Sequence, residues 1–109
     1  MTDVVVVNES NKCVLRKGIV LVDFFATWCG PCKRLAGPFQ NFASAWKGTI
    51  VFAKVDGDDN EDLMEEFNVR AYPTVLLLQD GKVIKTVEGC DDSELAELVS
   101  KAELLAKNK

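Results

Sequence analysis

The sequence predicts an α/β fold: a central mixed β-sheet with helices on both faces. Three observations predict it. Ile19 to Ala26 is an almost unbroken apolar run, too continuous for a strand with one wet face, so it reads as a central strand buried on both sides. A long helical pattern and then a second buried run, Thr49 to Asp56, follow it, and strand–helix–strand order in one sheet implies a parallel crossover. Near the C-terminus two strand-like runs flank Asp80-Gly81, a hairpin turn signal that makes the last part antiparallel.

The elements follow in the order β-α-β-α-β-α-β-β-α. Val4–Val7 is a β-branched run and reads as a short strand. Asn8 to Lys17 is polar around one apolar patch, Cys13-Val14-Leu15, and reads as a short helix ending near Gly18. Beyond the central strand, Leu35, Phe39, Phe42, Ala43 and Trp46 fall on one face of a helix closed by Gly48. Residues 57–60 form a loop, and Glu61 to Phe67 a short helix. Thr74 to Leu78 and Val83 to Val87 are the hairpin strands. Asp91, Asp92 or Ser93 can cap a last helix with the buried stripe Leu95, Leu98, Val99, Ala102 and Leu105. Phe24, Phe25, Phe52 and Trp46 are read as core, since an aromatic on a strand or helix face usually packs.

Composition bounds the function. A chain of 109 residues fits one domain, residues 1–109. A net charge of −4 argues against nucleic-acid binding, which needs a basic face. No apolar run approaches a membrane span. Met1 to Val7 has no basic n-region, so no secretory signal is read and a cytoplasmic setting is expected. Histidine is absent, which removes the commonest general base and metal ligand. Residues 56–66 hold seven acidic residues in eleven, but Glu61 and Phe67 stand where a calcium loop needs glycine and a bidentate acid, so this reads as a solvated helix start. Asn8-Glu9-Ser10 matches a glycosylation acceptor without a secretory context.

The chemistry therefore falls to cysteine: Cys13, Cys29, Cys32 and Cys90. Two structural disulfides would need an oxidising compartment. Structural zinc would need two close-spaced pairs, and there is one, so no metal site is expected. Cys29-Gly30-Pro31-Cys32 joins the central strand to the long helix. In a first helical turn, cysteines three apart share a side and can close a disulfide. The first stands at the helix N-terminus, where free N–H groups and the dipole stabilise a thiolate and lower its pKa. The second, one turn in, is the more buried and is placed to attack a mixed disulfide made by the first. Pro31 is tolerated there because the first turn needs no N–H from it. Asp23 is an acid inside an apolar strand: either it reaches solvent at an edge, or it is buried with a raised pKa and serves a function.

Val20 to Lys33, VLVDFFATWCGPCK, resembles the active-site segment of the thioredoxin family. The similarity continues through Ala53-Lys54-Val55-Asp56, Ala71-Tyr72-Pro73-Thr74, Asp80-Gly81 and Gly89, over essentially the whole chain. The resemblance implies a thioredoxin fold and a protein-disulfide reductase that cycles between the Cys29–Cys32 dithiol and disulfide. It implies Cys29 as nucleophile, Cys32 as resolving thiol, Asp23 as acceptor of the Cys32 proton and Lys54 as the partner tuning Asp23. It implies a cis Tyr72–Pro73 bond that holds the backbone around Ala71 and Tyr72 out toward a substrate, and a docking rim of Trp28, Gly30, Pro31, Tyr72, Pro73 and Gly89. No cofactor is expected on the chain. Reducing equivalents come from NADPH through a flavoprotein thioredoxin reductase, and the partners are disulfide-bearing targets of the peroxiredoxin or ribonucleotide reductase kind. A monomer is expected.

Several positions depart from the family pattern. Phe25 replaces a frequent tryptophan, and the helix proline falls one place late, at Pro38 after Gly37. Glu88 puts a negative charge beside the rim, favouring basic or polar targets. Cys90 follows Gly89 in the loop that the resemblance puts beside Cys29. Two readings stand for it: an exposed regulatory thiol able to link a dimer or take a glutathione adduct under oxidation, or a small buried hydrophobe. Cys13 is read as core. Two rival functions are a secretory disulfide oxidant or isomerase, which usually carries Gly-His between its cysteines, and a non-catalytic binding module, which would lack one of them.

Overall fold

A computed structural model describes residues 3–108. The elements are β1 (Val4–Val6), a 3-10 turn (Lys12–Arg16), β2 (Ile19–Phe25), α1 (Gly30–Ala45), β3 (Val51–Asp56), α2 (Glu61–Glu66), β4 (Thr74–Gln79), β5 (Lys82–Glu88) and α3 (Asp92–Lys107). One five-stranded sheet runs in the order β1-β3-β2-β4-β5. β3 is parallel to β1 and to β2, while β2–β4 and β4–β5 are antiparallel, the mixed sheet that the sequence predicts.

Alternation along the strands builds two cores. Leu21, Phe52, Val75 and Leu77 pack with Leu35 and Phe39 of α1 and with Leu95, Leu98 and Val99 of α3. Val20, Val22, Phe24, Val55, Leu76 and Leu78 pack on the other face with Leu63 of α2, Phe67 and Leu15. This explains the unbroken apolar run of β2: both of its faces are covered. Asp23 shares the parity of Ile19 and Leu21, so it belongs to the face covered by α1.

Turn chemistry closes the hairpin. Asp80 (φ 51) and Gly81 (φ 84) both lie in the left-handed region, which the tight turn requires at both central positions, and Asp80 Oδ1 accepts the Gly18 N–H at 2.8 Å. Pro38 lies inside α1, where it cannot donate to the Arg34 carbonyl. Asp91 caps α3: its side chain accepts the Glu94 N–H at 2.8 Å and Glu94 accepts the Asp91 N–H at 3.2 Å, a capping box.

The segment after β1 departs from expectation. It is a 3-10 turn with Leu15 as its only buried residue, and Cys13 is exposed. Three residues per turn aim one side chain in three at the sheet. Leu15 takes that direction, and Cys13 is therefore not core.

Candidate active site

The end of β2 delivers the chain to α1 through residues 26–29. Cys29 is the N-cap of α1, with extended backbone (φ −87°, ψ 112°), and its sulfur accepts the Cys32 N–H at 3.2 Å. Cys29 and Cys32 are joined in a disulfide. Both are buried, in a small cluster with Ala26, against which Phe25 and Tyr72 pack. The sulfur of Cys29 thus lies on the unpaired N–H groups of a 16-residue helix, where an anion is favoured.

Asp23 stands behind this pair. It is 4% exposed, and its Oδ1 lacks a hydrogen-bond partner among the described residues. Burial pushes its pKa up from 3.8 to about 7, against a smaller opposing pull from Lys54. Lys54 is the β3 residue registered directly opposite it. Among the described residues no ion pair joins the two; the Lys54 ammonium lies 5.7 Å from the centre of the Phe25 ring. Asp23, Lys54 and Cys32 line one cavity of about 310 Å³, with Phe25, Ala26 and Phe39 in its wall.

The rim is aromatic. Trp28 is 68% exposed and meets Tyr72 edge to face at 5.6 Å between ring centres. Its indole N–H donates to Asp58 Oδ2 at 2.8 Å. A side chain on Gly57 would overlap the Tyr72 ring, so this glycine lets the ring close over the loop after β3. The Tyr72–Pro73 bond is cis. The Ala71 carbonyl accepts the Thr74 hydroxyl at 2.7 Å. Gly89 (φ 63) donates its N–H to the Pro73 carbonyl at 2.8 Å. Gly30, Pro31 and Gly89 are exposed.

Sequence reasoning missed Asp58 and Gly57. Their partners, Trp28 and Tyr72, are 30 and 15 positions away respectively, and only the folded loop brings them together. Cys90 is corrected. Gly89 turns the chain between β5 and α3, and Cys90 packs, 5% exposed, into the core shared by α1 and α3. Its sulfur lies 3.6 Å from the Asp91 carbonyl oxygen, and burial first, then Glu94 and Asp23, pushes its pKa up to about 12. An exposed thiol ready for a dimer or a glutathione adduct is not what the loop presents. Among the described residues no three His, Cys, Asp or Glu side chains gather as metal ligands would.

A bonded Cys-x-x-Cys pair at a helix N-terminus, a buried acid behind it and an aromatic rim in front make a site for thiol–disulfide exchange. Comparison with known proteins agrees. The family model described as Thioredoxin matches residues 2–101. The chain is 43% identical over 81 residues to Thioredoxin-1 of Caenorhabditis elegans, covering 74% of this chain and 70% of that protein. It is 44% identical over 70 residues to the bifunctional thioredoxin reductase/thioredoxin of Mycobacterium leprae, covering 64% of this chain and 15% of that one. Among solved structures, the thioredoxin of Malassezia sympodialis superposes with a TM-score of 0.85 at 31% identity, over 94% of this chain and 93% of that chain. The family match over residues 2–101, relatives above 40% identity and the Cys29–Cys32 disulfide at the start of α1 make this chain a member of the thioredoxin family and a thiol–disulfide oxidoreductase whose working pair is Cys29 and Cys32.

Proposed function

We propose that Cys29 and Cys32 divide the reductase chemistry, with Asp23 moving the proton. The reduced Cys29 thiolate attacks a target disulfide, forms a mixed disulfide and releases one target thiolate. Cys32 gives its proton to Asp23 and attacks the Cys29 sulfur. The second target thiol leaves, and the Cys29–Cys32 disulfide remains. Two electrons pass from the pair to the target; Asp23 returns the Cys32 proton to the second target sulfur as it leaves, the first target thiolate takes its proton from solvent, and the chain itself is oxidised. The observation that carries this reading is the cavity shared by Asp23 and Cys32, behind a sulfur at the N-terminus of α1. An Asp23 pKa near 7 suits a group that must both take and release a proton near neutral pH. Lys54 opposite Asp23 holds that pKa below where burial alone would take it. Trp28, Gly30, Pro31, Tyr72 and Gly89 form the surface on which the target lies, and Pro73, itself buried, sets the backbone there.

Cys32→Ser is expected to accumulate a covalent adduct with a disulfide-bearing protein, visible on non-reducing gels. Cys29→Ser is expected to give none. An adduct of equal yield from both variants would refute the division of labour.

The same reading extends outward. The donor is a flavoprotein thioredoxin reductase using NADPH. Support comes from the Mycobacterium leprae relative, whose name joins a thioredoxin reductase to a thioredoxin. The setting is cytoplasmic, the chain acts as a monomer in one domain, and the targets are proteins with an accessible disulfide, of the peroxiredoxin or ribonucleotide reductase kind. No described helix is long and apolar enough to cross a membrane.

A further inference from the structure

We propose that the redox centre selects target disulfides flanked by lysine or arginine, because two acidic banks border it. The inference rests on the reductase reading above and names its substrate class. The first bank is the loop after β3. Asp58 is bonded there to the indole of Trp28, the most exposed large apolar side chain among the described residues, and Asp59 follows it, also exposed. The second bank is the turn from β5 into α3, where Glu88, Asp91 and Asp92 are exposed around Gly89. Asp91 and Asp92 share a surface groove of about 550 Å³ with Pro31 of the redox turn.

Short links hold both banks against the centre. Trp28 packs on Tyr72, which precedes the cis-proline, and the Pro73 carbonyl accepts the Gly89 N–H. A segment laid over Cys29 therefore meets acids of both banks. The basic side chains near the centre are Lys33, Arg34, Lys54 and Arg70; Lys33 and Lys54 line the cavity with Cys32, and Arg34 lines the second groove. The acids outnumber them. Half-buried Tyr72 and buried Cys90 register the same field: after burial, Asp58 and Asp56 raise the Tyr72 phenol, and Asp91 and Asp92 are among the charges that raise the Cys90 thiol.

Each charge acts weakly across water. Several of one sign around one cleft nevertheless raise the local concentration and association rate of an oppositely charged partner by ~10- to ~1000-fold. Such steering is lost once the Debye length falls to a few ångströms.

The test uses three peptides with one internal disulfide and identical sequence except for flanking Lys, Ser or Glu. Chemically reduced protein is mixed with each in single turnover, at about 0.01 M and about 1 M salt, where the Debye length is ~30 and ~3 Å. The expected result is a Lys-over-Glu rate ratio of roughly tenfold at low salt that largely vanishes at high salt. The variant Asp59→Asn/Glu88→Gln/Asp92→Asn, which spares the Trp28 partner and the α3 cap, is expected to shrink the low-salt ratio at least by half. Equal rates for the Lys and Glu peptides would overturn the proposal, as would a ratio that survives high salt or the substitutions. Failure of the wild type to reduce even the Ser peptide would overturn the reductase reading and this inference with it.

Discussion

Asp23 sits 4% exposed on β2 with an orphaned Oδ1, and a buried carboxylate of that kind costs stability whenever it is ionised. Its folded pKa of about 7 lies above the ordinary 3.8. The folded protein therefore keeps a proton that the unfolded chain releases, and stability falls as pH rises between those values before levelling off. Asp23→Asn removes the dependence. Urea unfolding is expected to find it close to wild type near pH 4 and more stable by up to about 4 kcal/mol near pH 8, because each pH unit between the two values is worth ~1.36 kcal/mol. The same substitution slows resolution of mixed disulfides above pH ~7, where the acid is available as a base. A stability difference that does not change with pH would separate Asp23 from both effects. The cysteines divide at this scale too. Brief alkylation of the oxidised protein, read by mass, is expected to label exposed Cys13 and spare buried Cys90, because the thiolate is the reacting form.

α3 begins on two reciprocal hydrogen bonds between Asp91 and Glu94, which satisfy amides that the helix start would leave unpaired. Asp91→Ala is expected to cost about 1 kcal/mol in chemical unfolding, with the redox pair still able to open and close. β2, α1 and the hairpin are legible in the sequence because their signals are local: a continuous apolar run, a helical stripe, and Asp80-Gly81 in a left-handed turn. The segment around Cys13 is not, because a five-residue 3-10 turn and a short α-helix share the same composition. They differ only in which side chain faces inward, and that is set by the sheet beneath them.

Across the whole molecule, the sheet divides neighbouring residues between two cores. Leu76 and Leu77 are consecutive, both fully buried, and belong to opposite faces. Leu77→Ala is expected to destabilise by about 2–5 kcal/mol, lowering Tm by roughly 4–8 °C per kcal/mol for a chain near this size, as calorimetry would show. A loss well under 1 kcal/mol would mean that the α1/α3 core closes around the gap. The sequence alone determined the order of elements, the mixed sheet and the Cys29–Cys32 pair, because strand and helix periods and a three-residue spacing are properties of contiguous chain. The sequence also marked Asp23 as an acid in an apolar strand, and its resemblance to a family named the role of Asp23, its partner Lys54 and the rim. Tertiary structure alone decided that Asp58 holds Trp28, that Gly57 makes room for Tyr72, and that Cys90 turns inward while Cys13 faces out. Those outcomes depend on loops distant in sequence meeting at one end of the sheet. No local period encodes such a meeting; it follows from packing both faces of the strands at once.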